Sequence, residues 1–279
     1  MRLSLAYSPC PNDTFMFDAI ANGRIDTEGL QFDIILADVE QLNLWAMEDK
    51  HDITKLSFHA FAYVSKHYAI LSSGAALGRG CGPLLISRDE IPRSKIEFCL
   101  MGIPGRHTTA NFLSMLAFPE AATKKEMVFS DIEQALIDGQ IDIGLIIHEN
   151  RFTYQQKGLR KIADLGEWWE TKYHMPIPLG GITARKSFDK DVLEKINRVI
   201  RRSIEYAFAH PAYSSAYVCT HAQEMDPQVM EQHIDLYVNN YSIDLGAEGK
   251  SAIDTLYRVA LEKKVISHLY YPLFADQVA

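Results

Sequence analysis

Several features that identify large classes of protein are scarce or missing in this chain of 279 residues. Its four cysteines, Cys10, Cys81, Cys99 and Cys219, are widely spaced and form no C-x-x-C pair, which argues against a disulfide framework and a thiolate zinc site. Positive charge is in the minority: 28 lysines and arginines face 36 aspartates and glutamates, so a broad nucleic-acid-binding surface is not expected. No segment reaches the ~20 consecutive apolar residues of a membrane span.

These absences predict a protein of a reducing compartment, without nucleic-acid or membrane partners. Met1–Tyr7 leads into a proline loop and lacks the apolar core and cleavage site of a signal peptide, so we expect a cytoplasmic location. Because 47% of the residues are hydrophobic, the chain can bury a sizeable core, in two domains at this length. With a net charge of −8, any anionic small-molecule ligand must be met by a local cluster of donors.

Cofactor motifs are missing as well. The glycine-rich stretch SGAALGRGCGP (73–83) surrounds Arg79, but it lacks the G-x-G-x-x-G order and the strand-to-helix context of a dinucleotide loop. The segment HENRF (148–152) has no second histidine four residues after His148, as a metalloprotease helix requires. We therefore expect neither a cofactor nor a metal ion.

Apolar periodicity predicts strands alternating with helices up to about residue 185, followed mostly by helix. This order is typical of α/β layers. The predicted strands are 2–7, 31–36, 52–56, 83–88, 97–103, 126–129, 142–147 and 179–185. The predicted helices lie near 13–22, 38–48, 58–67, 109–118, 131–138, 189–209, 212–222, 227–239 and 248–263.

A weak internal repeat indicates two similar lobes. SLAYSPCPNDTFMF and CLMGIPGRHTTANF each read as a strand, a proline loop and a capped helix, and EDKHDITKLSF (48–58) aligns without gaps on DGQIDIGLIIH (138–148). Crossovers near 82–92 and 174–188 predict a discontinuous lobe one, 1–90 and 176–279 with the C-terminal helices, around a continuous lobe two, 91–175. We expect a ligand cleft between the lobes, where the carboxyl ends of parallel strands bind ligands in open α/β sheets.

The segment DIGLIIHEN (142–150) ends an apolar strand on three polar residues, of which His148 is the first. A histidine at a strand end is often a hydrogen-bonded structural group. At a cleft edge it can instead accept a proton near neutral pH, because the ordinary pKa of histidine is about 6.5. Both interpretations stay open from the residues alone.

Two further segments follow predicted strands. In PGRHTTANF (104–112), Thr108 or Thr109 can cap the next helix, and the same helix start can hold a carboxylate or phosphate. In TKLS (54–57), Lys55 and Ser57 occupy alternate positions and point the same way in an extended chain. A capped helix and a solvated lysine are the plain structural alternatives.

Several motifs, in order along nearly the whole chain, resemble those of the 1,4-dihydroxy-6-naphthoate synthase family of the futalosine route to menaquinone. They are SPCPNDTF, TKLS, AALGRG, PGRHTTA and GLIIHENRFTY. The family is related to the type II periplasmic binding proteins, so the resemblance implies two α/β lobes with a ligand cleft between them.

The resemblance also implies a cofactor-independent carbon–carbon lyase that converts cyclic dehypoxanthine futalosine to 1,4-dihydroxy-6-naphthoate and dihydroxyacetone. It assigns His148 as the proton acceptor and places substrate contacts at Lys55, Leu56, Ser57, Thr108 and Thr109. We add Ser8, Asn12 and Arg79 as candidate substrate contacts because of their loops. The alternatives are the chorismate dehydratase of the same pathway and a non-catalytic small-molecule binding protein of the same fold.

Overall fold

The computed structural model describes residues 1–222 and 226–278. Within them the chain divides into two compact units. Unit 1 combines Met1–Gly78 with Pro178–Ala279, and unit 2 is the continuous segment Arg79–Ile177. Each unit contains one β-sheet with helices packed against it.

The strands are named in chain order. They are β1 (Arg2–Tyr7), β2 (Gln31–Leu36), β3 (Ile53–Ser57), β4 (Tyr68–Ile70), β5 (Ala76–Gly78), β6 (Leu84–Ser87), β7 (Met101–Ile103), β8 (Lys124–Glu126), β9 (Ile143–Ile146), β10 (Arg160–Asp164) and β11 (Ile177–Arg185).

The α-helices are named in the same way. They are α1 (Pro11–Ala21), α2 (Val39–Met47), α3 (Phe58–Val64), α4 (Thr109–Ala117), α5 (Ile132–Ile137), α6 (Asn150–Thr153), α7 (Leu165–Tyr173), α8 (Lys190–Ala209), α9 (Pro211–His221), α10 (Pro227–Tyr237), α11 (Asn240–Ile243) and α12 (Gly246–Glu262). Short 3-10 helices lie at Arg93–Phe98, Phe129–Asp131, Tyr154–Lys157 and Ala275–Gln277.

The two sheets repeat one topology. In unit 1 the order is β2-β1-β3-β11-β4, with β5 paired to β11, and in unit 2 it is β10-β6-β9-β7-β8. One strand of each unit, β1 or β7, pairs in parallel with two neighbours, and an antiparallel strand, β11 or β6, then extends the sheet. The segments aligned in the sequence repeat therefore become equivalent strands, β3 and β9.

The boundary between the units differs from the sequence prediction, which ended the first part of lobe one at residue 90. Strand β6 pairs with β9 and β10, so residues 84–87 are hydrogen-bonded into the sheet of unit 2. Gly82 also packs against Gly166, since a Cβ at Gly82 would lie 2.2 Å from the Gly166 nitrogen. The boundary therefore falls at Gly78–Arg79.

Several other local predictions were wrong or incomplete. The strand expected at 97–103 is a 3-10 helix up to Phe98, whose side chain is 73% exposed, and only Met101–Ile103 pairs as a strand. The strand expected at 126–129 lies at Lys124–Glu126. The strands β4, β5 and β10 and the helices α6, α7 and α11 were missed; most of these segments are only three to five residues long, too short to show a clear apolar period.

The core of unit 1 lies between its sheet and the helices α1 and α8. Leu5, Phe17, Ile182 and Ile200 are among its fully buried side chains. In unit 2, α5 packs directly on β9, where a Cβ at Gly144 would lie 2.6 Å from Ile132 Cγ2. The Trp169 ring is also fully buried in unit 2, and its Nε1 donates to the Pro176 carbonyl at 3.2 Å.

Within residues 1–222 and 226–278, no helix is both long enough and apolar enough to cross a membrane.

Candidate functional site

In unit 1, polar side chains from three segments meet at Asp13. One of its carboxylate oxygens accepts the Ser8 hydroxyl at 2.8 Å and the Ser8 amide at 3.2 Å. The other accepts the Asn12 side-chain amide at 2.8 Å and the Lys55 ammonium. Three residues predicted from sequence, Ser8, Asn12 and Lys55, are thus brought together at the carboxyl ends of β1 and β3.

The helix start explains why Asp13 is free to act as this centre. The sequence predicted this helix from about residue 13, but it begins earlier, with Cys10 as the N-cap and Pro11 in the first turn. Proline suits this position because the first N–H groups of a helix have no partner within the helix. Asn12 and Asp13 therefore lie inside the first turn, and their side chains bind neighbouring segments instead of the helix backbone.

Lys55 is not the solvated lysine of the structural alternative, because only 7% of its side chain is exposed. Its charge is matched by the Asp13 carboxylate, which is 1% exposed. A buried ion pair of this kind is costly to desolvate, so its members need a close partner and further hydrogen bonds. Ser8 and Asn12 supply those bonds.

The other two residues of the TKLS segment have different environments. Ser57 donates its backbone N–H to Asn43 Oδ1 at 3.0 Å, and its hydroxyl lies 3.2 Å from Asn43 Nδ2. Leu56 is fully buried, and its carbonyl lies opposite Gly180, where a Cβ would approach it to 2.6 Å. Leu56 exposes neither its side chain nor its backbone, and its assignment as a substrate contact stays a prediction.

A distant histidine fixes the orientation of Asn12. His233 on α10 is fully buried, and its Nε2 lies 3.0 Å from Asn12 Oδ1. Because the Asn12 nitrogen donates to Asp13, its oxygen is the acceptor, and His233 Nε2 carries the proton. Sequence reasoning missed His233 and Asn43, since neither stands near a motif.

In unit 2, Thr108 caps α4. Its hydroxyl oxygen accepts the Asn111 N–H at 3.2 Å and its hydroxyl donates to the Gly105 carbonyl at 2.9 Å. The choice between the two threonines as the cap is therefore resolved in favour of Thr108. Thr109 begins the helix and is buried, 3% exposed.

A lysine that the sequence did not single out supports this helix start. Lys124 on β8 donates to Asn111 Oδ1 at 2.8 Å and to the Ser114 hydroxyl at 3.0 Å. Asn111 in turn donates to the Arg106 carbonyl at 2.8 Å, which holds the loop before the helix. Both partners of Lys124 are uncharged, and burial lowers its pKa to about 8.

His148 follows β9 in a turn with a left-handed backbone, φ 57°. This conformation is uncommon for residues other than glycine, although asparagine, aspartate and histidine adopt it more often than most, and it costs roughly 1–2 kcal/mol. The imidazole is half-buried and packs edge-on against the Phe129 ring, with ring centroids 5.0 Å apart. β9 thus ends at Ile146 because the chain turns in the residues that follow, and His148 lies in that turn.

The residues after the turn are tightly held. Asn150 donates its side-chain amide to Glu133 at 2.6 Å. Arg151 donates to the Gly82 carbonyl and, at 2.6 Å, to Asp164, whose carboxylate also caps α7. The polar run that follows the apolar strand therefore has a structural reason: Asn150 and Arg151 anchor the turn.

Two further positions have different exposures. Arg79 is exposed at the start of unit 2. Glu149 is buried, 6% exposed, between His148 and α6. The assignment of Arg79 as a substrate contact stays a prediction.

We expect Lys55→Met to lower the free energy of unfolding by about 3–5 kcal/mol, because it leaves the Asp13 carboxylate buried without its cationic partner. The double variant Lys55→Met, Asp13→Asn removes both charges and should lose less. Urea unfolding of the two variants and the parent chain measures both effects. A single variant that loses less than the double variant would contradict a dominant role of this ion pair.

The family model for menaquinone biosynthesis matches residues 3–262 of the chain. A 1,4-dihydroxy-6-naphthoate synthase of Thermus thermophilus is 41% identical over 272 residues, covering 98% of each sequence. A synthase of the same name from Streptomyces coelicolor is 42% identical over 266 residues, covering 93% of each.

Solved structures agree with this placement and identify the fold. A protein of Archaeoglobus fulgidus superposes with a TM-score of 0.90 at 34% identity, covering 95% of this chain and 98% of its own. The periplasmic aliphatic sulphonate binding protein of Escherichia coli has a TM-score of 0.67 at 9% identity, covering 98% of this chain and 93% of its own, which shows the fold alone. The predicted periplasmic-binding-protein-like α/β fold is therefore confirmed, and the chain belongs to the menaquinone biosynthesis family.

Proposed function

We propose that this chain is a carbon–carbon lyase that converts cyclic dehypoxanthine futalosine to 1,4-dihydroxy-6-naphthoate and dihydroxyacetone, with His148 as the general base. The observation that carries the proposal is the pair of relatives named for this synthase, 41% and 42% identical to the chain over at least 93% of its length. The placement of His148 at the carboxyl end of β9 supports the same reading.

The reaction requires a base, groups that stabilise developing negative charge, and a site shielded from water. In the proposal His148 accepts a proton as the carbon–carbon bond breaks. Formation of an aromatic naphthoate drives the cleavage. This chemistry needs no redox or nucleotide group, and the absence of a cofactor or metal ion stays a prediction.

The backbone of His148 supports a functional role for its side chain. A left-handed turn after β9 would be less costly with glycine or asparagine. The chain keeps a histidine there, φ 57°, and packs its ring against Phe129. Strained backbone that the surrounding structure maintains is concentrated at functional sites.

The other substrate contacts are proposed from the chemistry of each side chain. In unit 2, the start of α4 at Thr108 and Thr109 binds the substrate carboxylate, because helix N-termini favour anions. In unit 1, Ser8, Asn12, Lys55 and Ser57 bind polar groups of the substrate, with Lys55 oriented by Asp13. The ligand cleft and the cytoplasmic location both stay predictions.

Incubating the purified protein with cyclic dehypoxanthine futalosine tests the activity, with mass spectrometry used to detect the naphthoate. We expect the naphthoate and dihydroxyacetone to appear together, and chorismate to remain unchanged in a parallel reaction. Conversion of chorismate instead would identify the protein as the dehydratase. Thermal stabilisation by the futalosine without any conversion would identify a non-catalytic binding protein.

His148→Asn tests the general base without disturbing the turn. Asparagine tolerates a left-handed backbone, so the variant should melt at or slightly above the temperature of the parent chain. Turnover should fall by about 10²–10⁴-fold, the usual contribution of a general base. Near-parental kcat, measured by naphthoate release, would remove His148 from this role.

Thr109→Val tests carboxylate binding apart from helix capping. The variant retains the Thr108 cap, so we expect a raised KM and a kcat close to that of the parent chain. Thr108→Ala is the matched comparison: it removes the cap and should lower the free energy of unfolding by about 1 kcal/mol. An unchanged KM in both variants would place the carboxylate elsewhere.

A further inference from the structure

Glu133 is a buried carboxylate in the first turn of α5, 1% exposed. One of its oxygens, Oε2, accepts two short hydrogen bonds, from Asn150 Nδ2 at 2.6 Å and from Lys157 Nζ at 2.6 Å. Lys157 lies in the 3-10 helix after α6, and its side chain is half-exposed. Glu133 therefore joins α5 to the segment that immediately follows His148.

Helix α5, which carries Glu133, packs closely on β9. Ile132 and Leu136 of α5 approach β9 closely because Gly144 has no side chain; a Cβ there would lie 2.6 Å from Ile132 and 2.9 Å from Leu136. Phe129, just before α5, packs against the His148 ring. Residues 129–133 thus contact both ends of the turn, at His148 and at Asn150.

Stability alone does not explain a charge at this position. Glu133 Oε1 is buried and has no hydrogen-bond partner among residues 1–222 and 226–278. A buried carboxylate satisfied on one oxygen only is expensive to desolvate, and replacing such a group together with its partners by apolar side chains of similar size is often neutral or stabilising. Compared with such an apolar cluster, Glu133 and its partners thus lower the free energy of unfolding while they fix the turn that carries His148. Many functional sites show this trade-off between stability and activity.

We infer that Glu133 is a positioning residue for His148: through Asn150 it holds the turn of residues 148–151, and so sets the direction of the imidazole. The inference rests on the proposed function, in which His148 is the base. Glu133 itself touches neither the substrate nor the reacting atoms. Its contribution to rate comes from orientation, where a displacement of about 1 Å can cost on the order of 100-fold.

Glu133→Met is the decisive variant, because methionine fills the same space without a carboxylate. We expect kcat to fall at least 10-fold with KM within twofold of the parent value, together with a lower melting temperature, because the buried Asn150 amide loses its acceptor. Hydrogen–deuterium exchange of the ligand-free protein should become faster at residues 148–151. A residue of merely structural importance would lower the melting temperature but leave the kcat of the folded protein unchanged.

Two further variants complete the test. Glu133→Gln keeps an oxygen that can accept from Asn150, so it should retain at least a third of the parental kcat. Gln134→Ala, at the exposed neighbouring position on α5, is the matched control and should change neither rate nor exchange. Should Glu133→Met not fold, Asn150→Ala breaks the same connection from its other end and should show the same loss of kcat.

The exchange measurement separates this inference from the proposed function. Parental exchange at 148–151 in a folded Glu133→Met or Asn150→Ala variant would overturn the inference, and so would faster exchange with parental kcat. If His148→Asn keeps full activity, the proposed base fails on its own evidence. Faster exchange together with a lower kcat supports Glu133 as a positioning residue.

Discussion

Parallel strand pairing is the constraint on which the rest of this structure depends. β1 pairs in parallel with β3, and β7 with β9, so the carboxyl ends of each pair lie at one edge of their sheet. Ser8, Asn12, Thr108 and His148 each follow one of these four strands within a few residues, and Lys55 and Ser57 lie in β3 itself. Ser8 and Asp13 meet Lys55 for this reason in unit 1, and the α4 start and His148 leave the same sheet edge in unit 2.

Buried charge is the second theme, and it costs stability in both units. Asp13 has both oxygens bonded and a lysine partner, so its burial is well compensated. Glu133 is bonded through one oxygen only among the described residues 1–222 and 226–278. Lys124 donates to uncharged groups, and burial lowers its pKa to about 8. Each of these groups holds a loop or turn at a strand end. An apolar residue could fill the same space, but it would make no directional hydrogen bond to that loop or turn.

Much of the fold was readable because strands and caps are local. The apolar strand β1 and the alternating pattern of β2 were predicted with their observed bounds, and the cap at Thr108 was one of two candidates. The repeat between 48–58 and 138–148 correctly identified equivalent strands.

Short edge elements such as β10 and α7 were missed, and the start of α1 was misplaced, because Cys10 is not a typical cap residue. The unit boundary was misplaced because pairing of β6 with β9 and β10 has no local signal.

The sequence by itself determined which polar residues lie at or near strand ends, and hence that Lys55, Thr108 and His148 are candidate site residues. Only the tertiary structure decided what holds them. Asp13 and Lys55 are 42 residues apart, His233 and Asn12 are 221 apart, and Glu133 and Asn150 are 17 apart. Caps and strand ends depend on neighbouring residues, whereas these hydrogen bonds depend on how sheets and helices pack. The left-handed backbone at His148 belongs to the second group, since contacts from α5 and α6 maintain a conformation that histidine alone disfavours.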